Sequence, residues 1–234
     1  MSAPTCAEVL ARTLREAGIT RMFGLPGGEV LDFIEAGRQE GIEFLLTRHE
    51  AAAAFMADVT GQIQRRPGVC VATLGPGAVN MTLGVANAFL DRSPVIAITA
   101  TLAHRNAGIA THQDLDLHAL YRPITKLTLT IDGVDTAGKV RRALEVSTTP
   151  RMGPVHLALP SDIARTEDRP EPPRSGHPEL VGPASAEAID HVAAEITKAA
   201  RAAIVIGVDV NPLIDPAAVR AFAEALGVDR KSVV

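Results

Sequence analysis

The chain has 234 residues, of which 47% are hydrophobic and 21% are charged, so it is long enough to bury the core of one large domain. The formal net charge of -4 and the pI near 6.0 provide no basic surface, and we expect no nucleic-acid partner. Aromatic residues make up 3% of the chain and Trp is absent, which also argues against a base-stacking surface.

The cysteines and histidines fit neither a disulfide framework nor a metal site. Cys6 and Cys70 belong to no Cys-x-x-Cys motif, and the seven histidines form no His-Glu-x-x-His pattern. No apolar run reaches the roughly 18 residues of a membrane span, and the first residues lack the pattern of a signal peptide. We therefore expect a cytoplasmic protein that binds no membrane and holds no metal with its own residues.

Strands and helices alternate along most of the chain. A capping box, Thr5 with Glu8 three residues later, predicts a first helix that ends at Gly18. Strands are predicted at 20–25, 42–46, 68–74, 95–99, 125–130 and 154–159, and further helices at about 30–36, 51–63, 78–89 and 134–148. This alternation predicts an α/β domain over residues 1–164, with a doubly wound, mostly parallel sheet and helices on both faces.

The composition changes after residue 164. Residues 165–184 contain five prolines and several charges, which predicts a linker. Residues 185–234 are predicted to start a second α/β domain, with a helix after Ser185, a strand at 202–207 and a helix at about 216–226. Because one strand and its helices cannot close a core, we expect a truncated start of a central domain.

The segments that follow the strands carry the candidate functional residues, because ligands of open α/β sheets bind at the carboxyl ends of the strands. Glycines there let a backbone approach a ligand, although any tight turn also favours them. In Gly75-Pro76-Gly77, Asn80 occupies the place of the third glycine of a dinucleotide fingerprint, so an NAD site is not indicated. The four segments are 24–28, 47–50, 74–80 and 111–114.

Glu50 is the strongest candidate for an acid or base. It leads into four alanines and Phe55, a setting in which partial desolvation disfavours the charged form of a carboxyl group. The alternative is a structural role, since the helix dipole favours Glu in a first turn. The adjacent His49 is either an acid/base or a helix-start hydrogen bonder, and the second role is the favoured one.

Together these motifs resemble the pyrimidine-binding domain of thiamine-diphosphate enzymes, and within that family they are most similar to acetolactate synthase. The similarity runs from about residue 5 to 165, and the chain from 185 onward resembles the start of the central domain of the same enzymes. The segments that carry it are Gly24-Leu25-Pro26-Gly27-Gly28, Leu46-Thr47-Arg48-His49-Glu50, Gly68-Val69-Cys70-Val71, Gly75-Pro76-Gly77-Ala78-Val79-Asn80, and His112-Gln113 through Lys126.

The resemblance implies roles for individual residues. Glu50 would hydrogen-bond a ring nitrogen of the cofactor's aminopyrimidine and favour the imino tautomer, which takes the proton from the thiazolium carbon. Gln113 would contact the substrate, so Glu50 and Gln113 are the predicted catalytic residues. The predicted cofactor-binding residues are Glu50 with Pro26, Gly27, Gly28, Gly75, Pro76, Gly77 and Asn80.

The resemblance also implies a carboligase that acts on 2-oxo acids such as pyruvate, in a homodimer or tetramer. Two residues differ from the usual acetolactate synthase pattern, Glu29 in place of Ala and His112 in place of Phe. Another thiamine-diphosphate decarboxylase or carboligase therefore stays open, as does a non-catalytic cofactor-half or assembly module. The Gly-Asp-Gly metal motif is absent, so Mg²⁺ would be bound through a domain outside these residues, and FAD would belong to the central domain.

Overall fold

The computed structural model describes residues 3–106, 113–172, 184–199, 203–206 and 215–226. The chain divides into two compact units, 1–174 and 175–234. The first unit extends past the expected boundary at 164, because Glu167 bridges Thr5 and the buried Asp168 accepts hydrogen bonds from Thr136 N and Oγ1. The first residues of the expected linker therefore pack on this unit.

Six parallel strands form the sheet of the first unit, and the predicted doubly wound α/β fold is confirmed. Their order across the sheet is β2-β1-β3-β4-β6-β5. The strand order therefore reverses at β1, which has β2 on one side and β3 on the other. Every pair of neighbours is parallel, which places all carboxyl ends at one edge. The strands are β1 (Arg21–Leu25), β2 (Glu43–Leu46), β3 (Gly68–Ala72), β4 (Val95–Thr101), β5 (Leu127–Thr130) and β6 (Pro154–Pro160).

Helices cover both faces of the sheet. The helices of this unit are α1 (Cys6–Glu16), α2 (Leu31–Gln39), α3 (Glu50–Gln64), α4 (Pro76–Leu90), α5 (Leu117–Tyr121) and α6 (Thr136–Thr148). The predicted capping box at Thr5 is present at the start of α1. The short α5 was not predicted, because five residues are too few to show helical periodicity.

The two faces have different cores. Residues of α1, α2 and α6 pack with the larger side chains of the sheet, such as Val71 and Ile98. Residues of α3, α4 and α5 pack on the other face with smaller ones, such as Cys70 and Ala97. Since neighbouring strand residues point to opposite faces, β3 and β4 are buried throughout nearly their whole length. The small side chains allow α3 and α4 to lie close together on the sheet.

The second unit contains two described helices, α7 (Ala186–Lys198) and α8 (Pro216–Ala225). Both helices were predicted, and neither buries any of its residues. The strand predicted at 202–207 is wrong for its described part, because residues 203–206 are not paired in a sheet. A strand needs a neighbour to bond with, and no described residue of this unit supplies one.

Among the described residues, no helix combines the length and the apolar character needed to cross a membrane.

Candidate functional site

Glu50 begins α3 at the carboxyl edge of the sheet, and only 5% of its surface is exposed. His49 caps the helix, since its Nδ1 accepts a hydrogen bond from the backbone N–H of Ala51 at 3.1 Å. The structure thus confirms the helix-start role favoured for His49. The helix dipole stabilises a negative charge at this position.

The Glu50 carboxyl group is only partly satisfied by the protein. Asn80 donates a hydrogen bond from Nδ2 to Glu50 Oε2 at 3.0 Å. In the part of the chain that the structure describes, Oε1 receives no side-chain hydrogen bond. A Cβ at Gly77 would lie 3.2 Å from Oε1 and 2.9 Å from Thr73 Cγ2. Glycine at position 77 therefore keeps the space around this oxygen free.

Thr73 follows β3 and joins two of the glycine-containing segments. A Cβ at Gly27 would lie 2.5 Å from Thr73 Oγ1, so the segment after β1 packs directly on this side chain. The same hydroxyl donates a hydrogen bond to Glu29 Oε2 at 2.6 Å. A Cβ at Gly28 would meet no atom within 4 Å outside its two chain neighbours, so there is open space at Gly28.

Thr73 is a candidate site residue that the sequence interpretation missed. It was counted as part of the apolar strand predicted at 68–74. In the structure β3 ends at Ala72, so Thr73 lies at the carboxyl edge of the sheet. The sequence signal for this was a polar residue close to the Gly75-Pro76-Gly77 turn, at the end of an apolar run.

A cavity of about 560 Å³ lies beside the first turn of α4. Gln113 has φ +65°, a left-handed conformation that is uncommon for residues other than glycine and that often occurs at functional sites. Gly75 also has a positive φ, and a Cβ there would lie 2.6 Å from Gln113 Cβ. The two segments therefore fit together only with glycine at 75. The cavity is lined by Gly75, Pro76, Val79, Asn80, Gln113, Asp114 and Leu115.

The structure brings most of the predicted residues to one edge. Asn80 connects the two parts of the site, because it lines the cavity and also binds Glu50. Gly77 lies next to Glu50, and Gly27 is joined to Gly77 through Thr73. Pro26 and Gly28 are placed on the same segment as Gly27, and His112 lies outside the described residues.

A buried pair of rings supports the first turn of α4. Tyr121 donates a hydrogen bond from its hydroxyl group to the Ala78 carbonyl at 2.7 Å. Its ring stacks on that of His156, with centroids 4.1 Å apart. Burial raises the pKa of Tyr121 well above its ordinary value, and burial lowers the pKa of His156 to about 3. Both side chains are therefore neutral near pH 7 and form a fixed support for the helix that carries Asn80.

The ring nitrogens of His156 are also satisfied. Nε2 lies 2.8 Å from Thr99 Oγ1 and Nδ1 lies 2.8 Å from Thr128 Oγ1, so the imidazole is held by both of the neighbouring strands. Over the described ranges, no group of three or more His, Cys, Asp and Glu side chains is arranged to hold a metal ion.

Comparison with known proteins assigns the chain to a family. Residues 4–120 match the model of the thiamine pyrophosphate enzyme, N-terminal TPP binding domain. The chain is 40% identical over 158 residues to a probable acetolactate synthase large subunit of Methanocaldococcus jannaschii, a match that covers 67% of this chain and 27% of that protein.

Two further relatives also align with most of this chain and with only part of their own length. The chain is 31% identical over 202 residues to acetolactate synthase of Bacillus subtilis, covering 86% of this chain and 35% of that protein. It is 34% identical over 167 residues to the large subunit of acetolactate synthase isozyme 2 of Escherichia coli, covering 71% and 30%. The chain thus aligns with about a third or less of each relative. It belongs to the thiamine pyrophosphate enzyme family, as the N-terminal TPP binding domain of an acetolactate synthase-like protein.

Proposed function

We propose that the chain supplies the pyrimidine-binding half of the active site in a thiamine-diphosphate-dependent carboligase that acts on 2-oxo acids, with pyruvate as the donor. One observation carries the proposal: Glu50 is a buried carboxyl group with one oxygen bound by Asn80 and the other left without a side-chain partner in the described part of the chain. That arrangement fits a flat ring whose nitrogen would share a proton with Oε1.

Thiamine diphosphate supplies, when bound, a carbon nucleophile for addition to a carbonyl group. The chain's own contribution would be to hold and move one proton at Oε1 of the buried Glu50. Asn80 fixes the carboxyl group through Oε2, and Gly77 leaves room for a ring beside Oε1. Tyr121 and His156 hold α4 in place, so the Asn80 amide does not have to be reoriented during the reaction.

Part of the substrate would enter the cavity beside α4. Gln113 lines this cavity together with Asn80, and its amide can both donate and accept hydrogen bonds. This supports the role of Gln113 as a residue that contacts the 2-oxo acid. Another thiamine-diphosphate decarboxylase or carboligase would use the same residues with a different substrate pair.

We also propose that the site is completed by another polypeptide surface, in a homodimer or tetramer. The α3–α4 face exposes large apolar side chains close to the site, an arrangement typical of a surface that is covered in an assembly. They are Phe55, Met56 and Val59 on α3 and Val79 and Leu83 on α4. The surface that covers them would be a diphosphate-binding domain, which would also hold Mg²⁺.

FAD would belong to a central domain, whose start would include α7 and α8. A cytoplasmic location is proposed as well, because Cys6 and Cys70 are both free thiols, as is usual in a reducing compartment.

The proposal is tested by calorimetric titration of the protein with thiamine diphosphate and Mg²⁺, followed by assay with pyruvate. With a diphosphate-binding half present, in the same or in a separate polypeptide, we expect saturable binding and release of CO2 with formation of a ligated product. Binding without turnover of any 2-oxo acid would favour the non-catalytic assembly module. Failure to bind the cofactor would contradict both functions, and tight Mg²⁺-dependent binding by residues 1–234 alone would contradict the need for a second surface.

A further inference from the structure

A second carboxylate lies next to the proposed cofactor pocket, on the other side of Thr73 from Glu50. Glu29 accepts the hydrogen bond from Thr73 Oγ1 at 2.6 Å. The methyl group of the same threonine faces Gly77, where a Cβ would lie 2.9 Å from Thr73 Cγ2 and 3.2 Å from Glu50 Oε1. One threonine side chain and the free space at Gly77 therefore separate the two carboxylates.

The charge of Glu29 is fixed in position but is not neutralised. Within the described ranges, no Lys, Arg or His side chain forms an ion pair with Glu29. Its partner is a hydroxyl group, which orients a carboxylate without cancelling its charge. The neighbouring Gly28 leaves open space, since a Cβ there would meet no atom within 4 Å. A ligand that approaches Gly28 would therefore meet a negative charge held in a defined place.

We propose that Glu29 is a specificity-determining residue, whose carboxylate disfavours a ligand carboxylate beside Gly28 and favours an uncharged or hydrogen-bond-donating group there. The inference rests on the proposed function, because it takes Glu50 and Gly77 as the wall of the cofactor pocket. Two like charges a few ångströms apart repel each other, and the repulsion grows as a bound ligand displaces the water between them. The expected consequence is weaker binding of anionic ligands than of neutral ligands of the same shape.

The competing explanation is purely structural: the Glu29–Thr73 hydrogen bond only ties the segment after β1 to the end of β3. Glu29→Gln separates the two explanations, because glutamine keeps the length of the side chain and an oxygen that accepts from Thr73 Oγ1. Only the charge is removed. A structural tie predicts no change in ligand preference in this variant, whereas a specificity role predicts a change.

The test uses the holoenzyme, meaning this chain together with the diphosphate-binding half, thiamine diphosphate and Mg²⁺. Calorimetry measures the dissociation constants of oxamate, an unreactive anionic analogue of pyruvate, and of oxamide, its uncharged counterpart. We expect Glu29→Gln to tighten oxamate binding about tenfold and to leave oxamide and thiamine diphosphate binding unchanged. If the glutamine variant fails to fold, Glu29→Ala should change the ratio of the oxamate and oxamide dissociation constants in the same direction.

Glu43→Gln is the matched control, because it removes the same charge at the opposite end of the strands, where Glu43 pairs with Arg21 at 2.9 Å. Glu43→Gln should leave the ratio of the oxamate and oxamide dissociation constants as in the wild type. Oxamate binding that does not tighten in either Glu29 variant, or an equal change for both ligands, overturns the inference. If the wild-type holoenzyme fails to bind thiamine diphosphate, the proposed function fails instead, so the two failures are distinguishable.

Discussion

An asparagine of α4 donates a hydrogen bond to a buried carboxylate of α3 at two places along the helix pair. Near the carboxyl edge of the sheet, Asn80 donates to Glu50 Oε2 at 3.0 Å. About two turns further along, Asn87 donates to Asp58 Oδ2 at 2.8 Å. The second carboxylate is fully satisfied, because Gln62 donates to Asp58 Oδ1 at 3.0 Å. Burial and an asparagine partner are therefore not sufficient to mark a site, and the oxygen without a side-chain donor distinguishes Glu50.

Gly77 lies near the Asn80–Glu50 hydrogen bond and Gly84 near the Asn87–Asp58 hydrogen bond, and the surroundings of these two glycines also differ. A Cβ at Gly77 would meet side-chain atoms, those of Thr73 and Glu50. A Cβ at Gly84 would lie 2.6 Å from Ala54 Cβ and 2.8 Å from the backbone nitrogen of Phe55. Gly84 thus allows the two helix backbones to approach each other, whereas Gly77 makes room for a carboxyl group. We propose that the end at Gly84 serves helix packing and that the end at Gly77 serves a ligand.

The largest expected difference between the two ends is in catalysis. Glu50→Gln should lower kcat for carboligation by about 10²–10⁴-fold, because the amide cannot exchange a proton at the former Oε1. Asp58→Asn is the matched change at the other end and should leave kcat nearly unchanged. Steady-state assays with pyruvate measure both. Equal losses in the two variants would mean that the distinction between the ends is wrong.

The glycines should separate folding from cofactor binding. Gly84→Ala is expected to lower the free energy of unfolding by about 3 kcal/mol, since its Cβ would collide with backbone atoms of α3. Gly77→Ala should destabilise less, because the Glu50 side chain can shift, but it should weaken thiamine diphosphate binding about tenfold. Urea denaturation and calorimetry provide the two measurements. If thiamine diphosphate affinity fell only in the Gly84→Ala variant, the assignment of Gly77 to cofactor binding and of Gly84 to packing would be wrong.

Removal of the satisfied carboxylate should affect stability alone. Asp58→Ala leaves the Gln62 amide without its partner and removes one partner of Asn87, at an expected cost of about 2 kcal/mol in the free energy of unfolding. Glu50→Gln should cost less, because only one side-chain hydrogen bond is affected. The same denaturation experiment compares the two variants. A larger loss for Glu50→Gln would indicate that Glu50 is mainly structural.

The smallest effect is expected at the helix start. His49→Ala removes the hydrogen bond to Ala51 N and should lower the free energy of unfolding by about 1 kcal/mol. His49→Asn should restore most of it, since asparagine is a good N-cap residue. Neither variant should lower kcat as far as Glu50→Gln does. A kcat for His49→Asn as low as that of Glu50→Gln would instead give His49 a role in proton transfer.

The sequence predicted the features that depend on local pattern. The alternation of strands and helices, the capping box at Thr5 and the start of α3 near Glu50 were all found as expected. Such features follow from periodicity and from capping residues that are neighbours in the chain. The resemblance of the motifs to thiamine-diphosphate enzymes correctly identified the family, because those motifs are short and contiguous.

Contacts between segments that are distant in the chain could not be predicted from local sequence patterns. The hydrogen bond from Thr73 to Glu29 joins residues 44 positions apart, and nothing in either segment indicates the other. The strand order, in which β1 lies between β2 and β3, likewise depends on the packing of the whole unit. The expected strand at 202–207 failed in its described part because its apolar pattern satisfied the local signal without a partner strand.

Hydrogen–deuterium exchange at the thiazolium carbon of bound thiamine diphosphate tests the role of Glu50 most directly. The holoenzyme is mixed with D2O, quenched in acid after milliseconds to seconds, and the retained proton is measured by NMR. With Glu50→Gln, exchange should slow to the rate of the free cofactor, whereas Asp58→Asn should exchange at the wild-type rate. Wild-type exchange in the Glu50→Gln holoenzyme, with thiamine diphosphate still bound, would contradict the account.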